Sequence, residues 1–297
     1  MKYMHCAICK EKEEQISLYP ATFSINKINT KTFSARRSPD RMHYQFVTCK
    51  RCGLIFSNPI FSSEKIEHLY KKSTFDYPTE SIYLKKTYGN LLGNILLKKN
   101  KAVKLLDIGC GNGFFLEEAK DRGISDIYGV EPGRESVQEA LPDIQKHIIV
   151  DIFKKGLFKK NFFDVITCFH TLDHIVDPNV FLQAVHESLK KNGKIIFIVH
   201  NTEGLSVKLF GEKSPIFDIE HIYLFNKKTL RKLFQQNGFK KISIIDLTNT
   251  YAFSYWLRMV PLPYVIKSPL QYFLNKTRLD KIPLSLRVGN IAIFAEK

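Results

Sequence analysis

The sequence lacks the long apolar segments that insertion into a membrane requires. No run approaches the ~20 consecutive apolar residues of a membrane-spanning helix. The N-terminal residues Met-Lys-Tyr-Met-His-Cys are not followed by the apolar core of a secretory signal. Both absences favour a cytoplasmic protein. The composition, 44% hydrophobic and 25% charged over 297 residues, is typical of a globular chain with one sizeable core and a small additional module.

Arginine is scarce compared with the overall positive charge. The formal net charge is +16, yet lysine outnumbers arginine more than threefold. Nucleic-acid-binding proteins usually rely on the bidentate guanidinium group to hold phosphates, so we expect no nucleic-acid partner. A basic surface still favours anionic substrates or anionic lipid headgroups, which leaves peripheral contact with a membrane surface as an expectation.

Most of the cysteines are concentrated near the N-terminus. Four of the six form two Cys-x-x-Cys pairs, Cys6 with Cys9 and Cys49 with Cys52. Two such pairs supply the thiolates of a tetrahedral zinc site, and a site closed by four sulfurs has a structural role. Redox thiols and simple reduced cysteines are the alternatives. The spacing predicts a zinc-binding module over residues 1–60.

A glycine-rich turn after a buried strand organises the rest of the chain. The apolar run 103–108 predicts a parallel strand, and 114–119 predicts the following helix. A dinucleotide fingerprint would require glycine at position 114, which is Phe114. The pattern instead resembles the first motif of class I S-adenosylmethionine-dependent methyltransferases. That resemblance implies cofactor-binding roles for Asp107, Gly109, Gly111 and Gly113.

The strands after this turn carry further candidates at their carboxyl ends. Strand 126–130 precedes Glu131, whose carboxylate can accept hydrogen bonds from two ribose hydroxyls. The family resemblance implies that Asp151, after the third strand, faces the adenine, with a solvated loop acid as the alternative. Ligands of open α/β sheets lie beyond the carboxyl ends of the strands, so Phe169 and His170 are expected near the transferred methyl group. We expect His174 to pack on the next helix.

A later segment suggests the catalytic base. Residues 218–226 resemble the Glu-His-x-x-Tyr-Phe-Ser segment of bacterial sugar methyltransferases, in which the histidine removes a proton. The resemblance implies that His221 is the base and that Glu220 orients it, which suits imidazole because it titrates near neutral pH. The alternative is a histidine that only supports the loop. The cysteine module also resembles the N-terminal module of these sugar methyltransferases.

The predicted fold is α/β, a Rossmann-like seven-stranded doubly wound sheet whose last strand is antiparallel, preceded by a small zinc-ribbon module. Bridging helices are expected over 61–100, and the methyltransferase domain over 101–297. An inserted lid is expected around 250–286. The aromatic segment 251–275 within it fits either a helical pair over the substrate cleft or a surface that meets a lipid-linked glycan.

The function implied by these resemblances is methyl transfer from S-adenosylmethionine, with a structural Zn²⁺ ion. The expected acceptor is a sugar, nucleotide-linked or part of a surface glycan. The alternative acceptors are a quinone-like small molecule and RNA. An alternative of a different class is a non-catalytic zinc-ribbon protein that binds RNA or glycan. The complete glycine turn and Glu131 argue against this alternative.

Overall fold

A computed structural model describes residues 1–23, 33, 40–72, 78–93 and 103–297. The strands are β1 Gln15–Tyr19, β2 Phe46–Cys49, β3 Ile55–Ser57, β4 Lys104–Ile108, β5 Asp126–Val130, β6 Ile148–Ile149, β7 Phe163–Phe169, β8 Leu189–His200, β9 Tyr223–Leu224, β10 Lys240–Ala252 and β11 Pro283–Glu296. The α-helices are α1 Ser63–Lys71, α2 Pro78–Gly89, α3 Phe114–Asp121, α4 Arg134–Gln138, α5 Pro142–Gln145, α6 Pro178–Ser188, α7 Leu205–Phe210, α8 Lys227–Gln236, α9 Phe253–Met259 and α10 Tyr264–Thr277.

Seven strands form the main sheet in the order β10-β11-β8-β7-β4-β5-β6. Neighbouring strands from β8 to β6 are parallel, and β11 is antiparallel to both β8 and β10. The central strands are apolar and buried, because helices cover both faces of a parallel sheet. The predicted α/β class and the antiparallel last strand are confirmed.

The order of this sheet creates a crevice between β4 and β7. From β4 the chain continues through β5 and β6 towards one edge, whereas β7 and β8 lead towards the other edge. The loops after β4 and β7 therefore diverge, and ligands bind in the gap that they leave.

A second, smaller sheet joins the N-terminal module to the main domain. Its order is β1-β2-β3-β9, and β9 belongs to the segment that follows His221. Phe56 pairs with Tyr223 across the junction, and the amide of Ser57 donates to the carbonyl of Ile222 at 2.8 Å. One apolar cluster runs from the cysteine region into the centre of the main sheet. The module thus shares both hydrogen bonds and core with the domain.

Two connecting segments complete the frame around the crevice. Helices α1 and α2 lie within the predicted bridging region; residues 73–77 and 94–100 of that region fall outside the described residues. Residues 253–282 form an excursion from the β10–β11 hairpin, because Ala252 pairs with Pro283 where it leaves and returns. The excursion holds α9 and α10. Among the described residues, no helix is long and apolar enough to cross a membrane.

Candidate functional site

A cavity of about 790 Å³ lies at the carboxyl ends of the central strands. It is lined on one side by the glycine turn and the end of β5, and on the other by the ends of β7 and β8. Helix α9 and the segment before β9 complete its walls. The volume is in the upper part of the range of small-molecule sites, which is enough for a cofactor and an acceptor side by side.

The three glycines of the turn have different roles. All three have positive φ angles of 73°, 55° and 73° in sequence order, a region that side chains disfavour. A Cβ on Gly109 would lie 2.2 Å from Oγ1 of Thr171, and one on Gly113 would lie 2.6 Å from Cγ2 of Ile144. Gly109 and Gly111 both line the cavity. Gly109 and Gly113 permit close packing, and Gly111 offers bare backbone to a ligand.

Glu131 sits where the sequence places it, at the end of β5 in the cavity wall. Its carboxylate accepts from the amide of Gly111 at 2.9 Å and from the amide of Gly133 at 2.8 Å. Burial raises the pKa of Glu131, while the two backbone N–H groups lower it. A carboxylate has about four acceptor positions, so two remain for the hydroxyls of a ribose. The site therefore fits the nucleoside part of S-adenosylmethionine.

The structure does not bring the other two predicted acids to the cavity wall. Asp107 is buried beneath the turn and accepts a 2.7 Å hydrogen bond from Oγ1 of Thr167. Burial raises the pKa of Asp107 to about 7, against the lowering effect of Thr167. Asp151 pairs with Lys154 at 2.8 Å, and its neighbours Ile152 and Phe153 line the cavity instead. Asp107 supports the turn from below.

The raised pKa of Asp107 predicts how stability depends on pH. The unfolded carboxyl titrates near 4, so between about pH 4 and 7 the unfolded state loses a proton that the folded state keeps. The free energy of unfolding of the wild type should therefore fall as the pH rises through that window, by at most roughly 1.4 kcal/mol for each pH unit between the two pKa values. The free energy of unfolding of Asp107→Asn should fall less over the same pH range, as measured by urea unfolding at pH 4.5 and 7.5. Equal slopes for both proteins would contradict a buried titrating carboxyl.

The predicted residues at the end of β7 do line the cavity. Phe169 is buried, with its ring 4.6 Å from that of Tyr88 on α2. His170 follows with a φ angle of 51°, a strained backbone conformation of the kind that occurs at functional sites. Helix α2 thus helps to enclose the site through Tyr88.

His221 and Glu220 both line the cavity and are buried. Nδ1 of His221 lies 2.7 Å from the carbonyl of Ile216, so Nδ1 carries the proton and Nε2 is left as an acceptor. The hydrogen bond that orients His221 thus comes from the backbone of Ile216, whereas Glu220 was predicted to provide it. Burial lowers the pKa of His221 well below its usual value.

His200, Asp173 and His174 complete this cluster of titratable side chains. The sequence interpretation did not identify His200 or Asp173, and it placed His174 against the next helix. His200, the last residue of β8, lines the cavity, and its Nδ1 lies 2.6 Å from Oδ2 of the fully buried Asp173. His174 does not pack on the next helix as expected: its Nδ1 shares a 2.7 Å hydrogen bond with the Tyr70 hydroxyl, because the turn at 172–174 points it inward. Burial lowers the pKa of His174 to about 4.

The four predicted zinc ligands come together in the N-terminal module. The sulfurs of Cys6, Cys9, Cys49 and Cys52 all lie within 4.8 Å of one another. The amide of Cys9 donates to the sulfur of Cys6 at 3.3 Å, as expected of a metal-binding turn. Burial raises the pKa of the Cys6 thiol to about 11, so a cation is needed to keep this sulfur as a thiolate. The donor set fits a structural Zn²⁺ ion.

Comparison with known sequences connects this geometry to a family. A family model described as a methyltransferase domain matches residues 82–244. A ubiquinone biosynthesis O-methyltransferase of Pectobacterium atrosepticum is 31% identical over 104 residues, covering 33% of this chain and 43% of that protein. One of Shewanella is 27% identical over 141 residues, covering 46% and 54%. The matches span about half the length of these curated relatives.

Solved structures share the fold. A SAM-dependent methyltransferase from Archaeoglobus fulgidus superposes with a TM-score of 0.50 at 17% identity, covering 75% of this chain and all of that one. The YcgJ protein from Bacillus subtilis gives a TM-score of 0.50 at 17% identity, with 71% and 98% coverage. The family match covers more than half of the 297 residues, and the chain therefore belongs to the methyltransferase domain family.

Proposed function

We propose that this protein transfers the methyl group of S-adenosylmethionine to a hydroxyl oxygen of a small acceptor with a flat apolar body, such as a quinol or a catechol. The observation that carries the proposal is one continuous cavity. Gly111 and Glu131 line it on one side, and a histidine cluster lines it on the other. The first side suits the nucleoside, and the second suits removal of a proton from the acceptor.

The acceptor half of the cavity favours an apolar ring over a sugar. Helix α9 contributes Tyr255, Trp256 and Met259, and the opposite wall contributes Leu209 and Phe210. A sugar presents many hydroxyls that would need hydrogen-bond partners in such a wall, which makes burial there costly. The relatives named as ubiquinone O-methyltransferases support the same acceptor class.

One polar group interrupts the apolar wall. Asn249, on β10, is 2% exposed and lines the cavity. Its Oδ1 atom has no hydrogen-bond partner among the described residues. A buried amide oxygen without a partner is costly, so a ligand hydroxyl is a natural donor to it. An acceptor with a second hydroxyl, such as a diphenol, carries the donor that Oδ1 of Asn249 lacks.

The sulfonium of the bound cofactor supplies an electrophilic methyl group, and the protein's own residues do the rest. Glu131 and the Gly111 backbone hold the nucleoside, and the aromatic wall of α9 excludes water and orients the acceptor ring. His170, His200 and His221 lie in the wall where the acceptor hydroxyl would sit, and an imidazole there can accept its proton. Glu220 adds a buried carboxyl group to the same wall.

The test pairs cofactor binding with an acceptor series. We expect S-adenosylmethionine and S-adenosylhomocysteine to bind by calorimetry, and 4-alkylcatechols to be methylated. Each added methylene should lower KM by about threefold to fourfold until the apolar wall is filled, because a buried methylene contributes about 0.8 kcal/mol. Trp256→Ala should flatten this dependence and leave cofactor affinity unchanged.

Two outcomes would count against the proposal. Turnover of sugar nucleotides without turnover of any catechol would replace the acceptor class by a sugar, as the sequence resemblance implied. Failure of the folded, zinc-loaded protein to bind either form of the cofactor would remove the methyltransferase activity itself and favour a binding protein.

The zinc ion and the membrane contact expected from the sequence stay predictions. Helix α10 exposes apolar side chains, among them Tyr264 at 80% and Tyr272 at 69% exposure. Lys267 and Lys276 lie on the same helix. Aromatic and basic residues on one short helix suit a headgroup boundary, which supports peripheral contact with an anionic membrane surface.

A further inference from the structure

We infer that Asp173 and His200 form the proton-accepting pair of this site, and that His221 acts as an uncharged neighbour that positions the acceptor. This inference rests on the proposed methyl transfer to a hydroxyl oxygen. The proton passes to His200, which lies at the end of β8 and belongs to none of the recognised sequence patterns.

The hydrogen bonds fix the direction in which His200 can work. Oδ2 of Asp173 accepts from Nδ1 of His200 at 2.6 Å and from the backbone amide of the same residue at 3.1 Å. Two donors from one residue hold the ring in a single orientation. Nδ1 therefore carries a proton, and Nε2 has no hydrogen-bond partner among the described residues while His200 lines the cavity. Nε2 is thus available to an acceptor hydroxyl.

Asp173 is suited to stabilise a positive charge on that ring. It is fully buried, and the backbone carbonyl of Asp173 accepts from the amide of Ile222, which anchors the turn. Burial alone would raise the pKa of Asp173, but the charge and hydrogen bond of His200 hold it well below its usual range. A buried carboxylate on Nδ1 favours the imidazolium form of a histidine that takes a proton at Nε2.

Among the described residues, His221 has no carboxylate hydrogen-bonded to its ring. Its Nδ1 faces the neutral carbonyl of Ile216, and its ring lies 4.6 Å from that of His200 and 4.9 Å from that of His174. A proton on His221 would therefore add a charge beside other imidazoles without a carboxylate to balance it. His221 stays neutral, and its ring beside that of His200 limits the orientations that are open to the acceptor.

The step balances with these groups. A lone pair of the acceptor oxygen forms the new bond to the methyl carbon, and the carbon–sulfur bond breaks with its electron pair moving to sulfur. The hydroxyl proton passes to Nε2 of His200. Positive charge leaves the sulfonium as it appears on His200, where the Asp173 carboxylate stabilises it. The products are the methyl ether and S-adenosylhomocysteine, and His200 releases its proton to water after product leaves.

The first experiment needs no acceptor. Histidine-labelled protein is examined by NMR with S-adenosylhomocysteine bound, and His200 is assigned with His200→Gln. Asp173→Asn keeps the shape of the side chain and removes its charge, so the Nδ1–H of His200 should lose its charge-assisted hydrogen bond and its proton resonance should move upfield. The two histidine rings that face His200, those of His170 and His221, are unchanged in this variant. Asp164→Asn, at the far end of β7 and paired with Lys190, is the control and should leave that resonance unmoved.

The second experiment uses 4-methylcatechol as the probe. His200→Gln should lower kcat by about 100-fold to 10,000-fold, the range of a lost general base, with cofactor affinity unchanged. His221→Gln should mainly raise KM. Asp173→Asn should lower kcat less than His200→Gln, because the accepting nitrogen stays in place without its carboxylate partner. His186→Gln, on α6 outside the cavity wall, is the histidine control.

These results separate the inference from the function on which it depends. An unmoved Nδ1–H resonance of His200 in Asp173→Asn, or a larger loss of kcat in His221→Gln than in His200→Gln, would overturn the pairing. Uptake of one divalent ion by the wild type that Asp173→Asn abolishes would also overturn it, by making these residues ligands. If no catechol is methylated, the proposed acceptor fails, and the NMR comparison still decides whether Asp173 and His200 are paired.

Discussion

Replacing Gly111 by valine is expected to raise the dissociation constant of S-adenosylmethionine by roughly 100-fold or more while the protein stays folded. Gly111 has a φ angle of 55° and lines the cavity. A β-branched residue in this conformation costs on the order of 1–2 kcal/mol of stability, and its methyl groups would fill space that the cofactor needs. The loss of that space and of the close backbone contact accounts for the change in affinity, which corresponds to about 3 kcal/mol of binding free energy. Calorimetric titration measures the change directly.

A second glycine provides the matched control for this substitution. Gly123, after α3, has a φ angle of 91°, and a Cβ there would meet nothing within 4 Å. Gly123→Val should therefore carry a similar backbone strain and a similar loss of stability, but leave cofactor affinity unchanged. If Gly111→Val bound the cofactor within threefold of the wild type, or if both variants lost it equally, the turn would not be the cofactor site.

Replacing Cys49 by serine is expected to remove the zinc ion and to lower the melting temperature by about 10 °C. Structural zinc contributes many kcal/mol to small modules, and a loss of several kcal/mol shifts the melting of a chain of this size by this amount. The strain would reach the active site, because Ser57 also donates a side-chain hydrogen bond of 2.8 Å to the carbonyl of His221. Acceptor turnover should fall more than cofactor affinity.

Cys168 offers the control, since it is fully buried and lies outside the four-sulfur group. Cys168→Ser makes the same chemical change in the core of β7. Atomic absorption should find one zinc per chain in the wild type and in Cys168→Ser, and none in Cys49→Ser. A wild-type protein that contains no zinc and melts like Cys49→Ser would remove the metal from this account and leave reduced thiols.

The parts of the fold that the sequence made predictable are those with a local pattern. The run before Gly109 is mostly apolar because β4 is buried on both faces, and the positive φ angles of the turn favour glycine. Glu131 was identifiable because a carboxylate directly follows the next strand. In each case the physical cause lies within about ten residues of the pattern that reveals it.

The parts that escaped prediction depend on partners distant in sequence. Strand β1 alternates polar and apolar residues but is an exposed edge of only five residues, and β9 is two residues long, so neither pattern is long enough to assign a strand. His200 reads as the last residue of an apolar strand, and only the fold brings it to Asp173, 27 residues earlier. The orienting group of His221 is a backbone carbonyl, which no side-chain pattern can indicate.

The way in which residues 253–282 leave and rejoin the sheet affects how such a protein can change over time. Because Ala252 and Pro283 are paired neighbours, everything between them could be exchanged for another segment while β10 and β11 keep their register. That segment supplies the aromatic wall of the acceptor half, whereas the nucleoside half is built from β4 and β5 at the other side of the sheet. Acceptor preference can therefore diverge by replacement of one continuous stretch of chain, while the chemistry of the methyl donor is inherited intact.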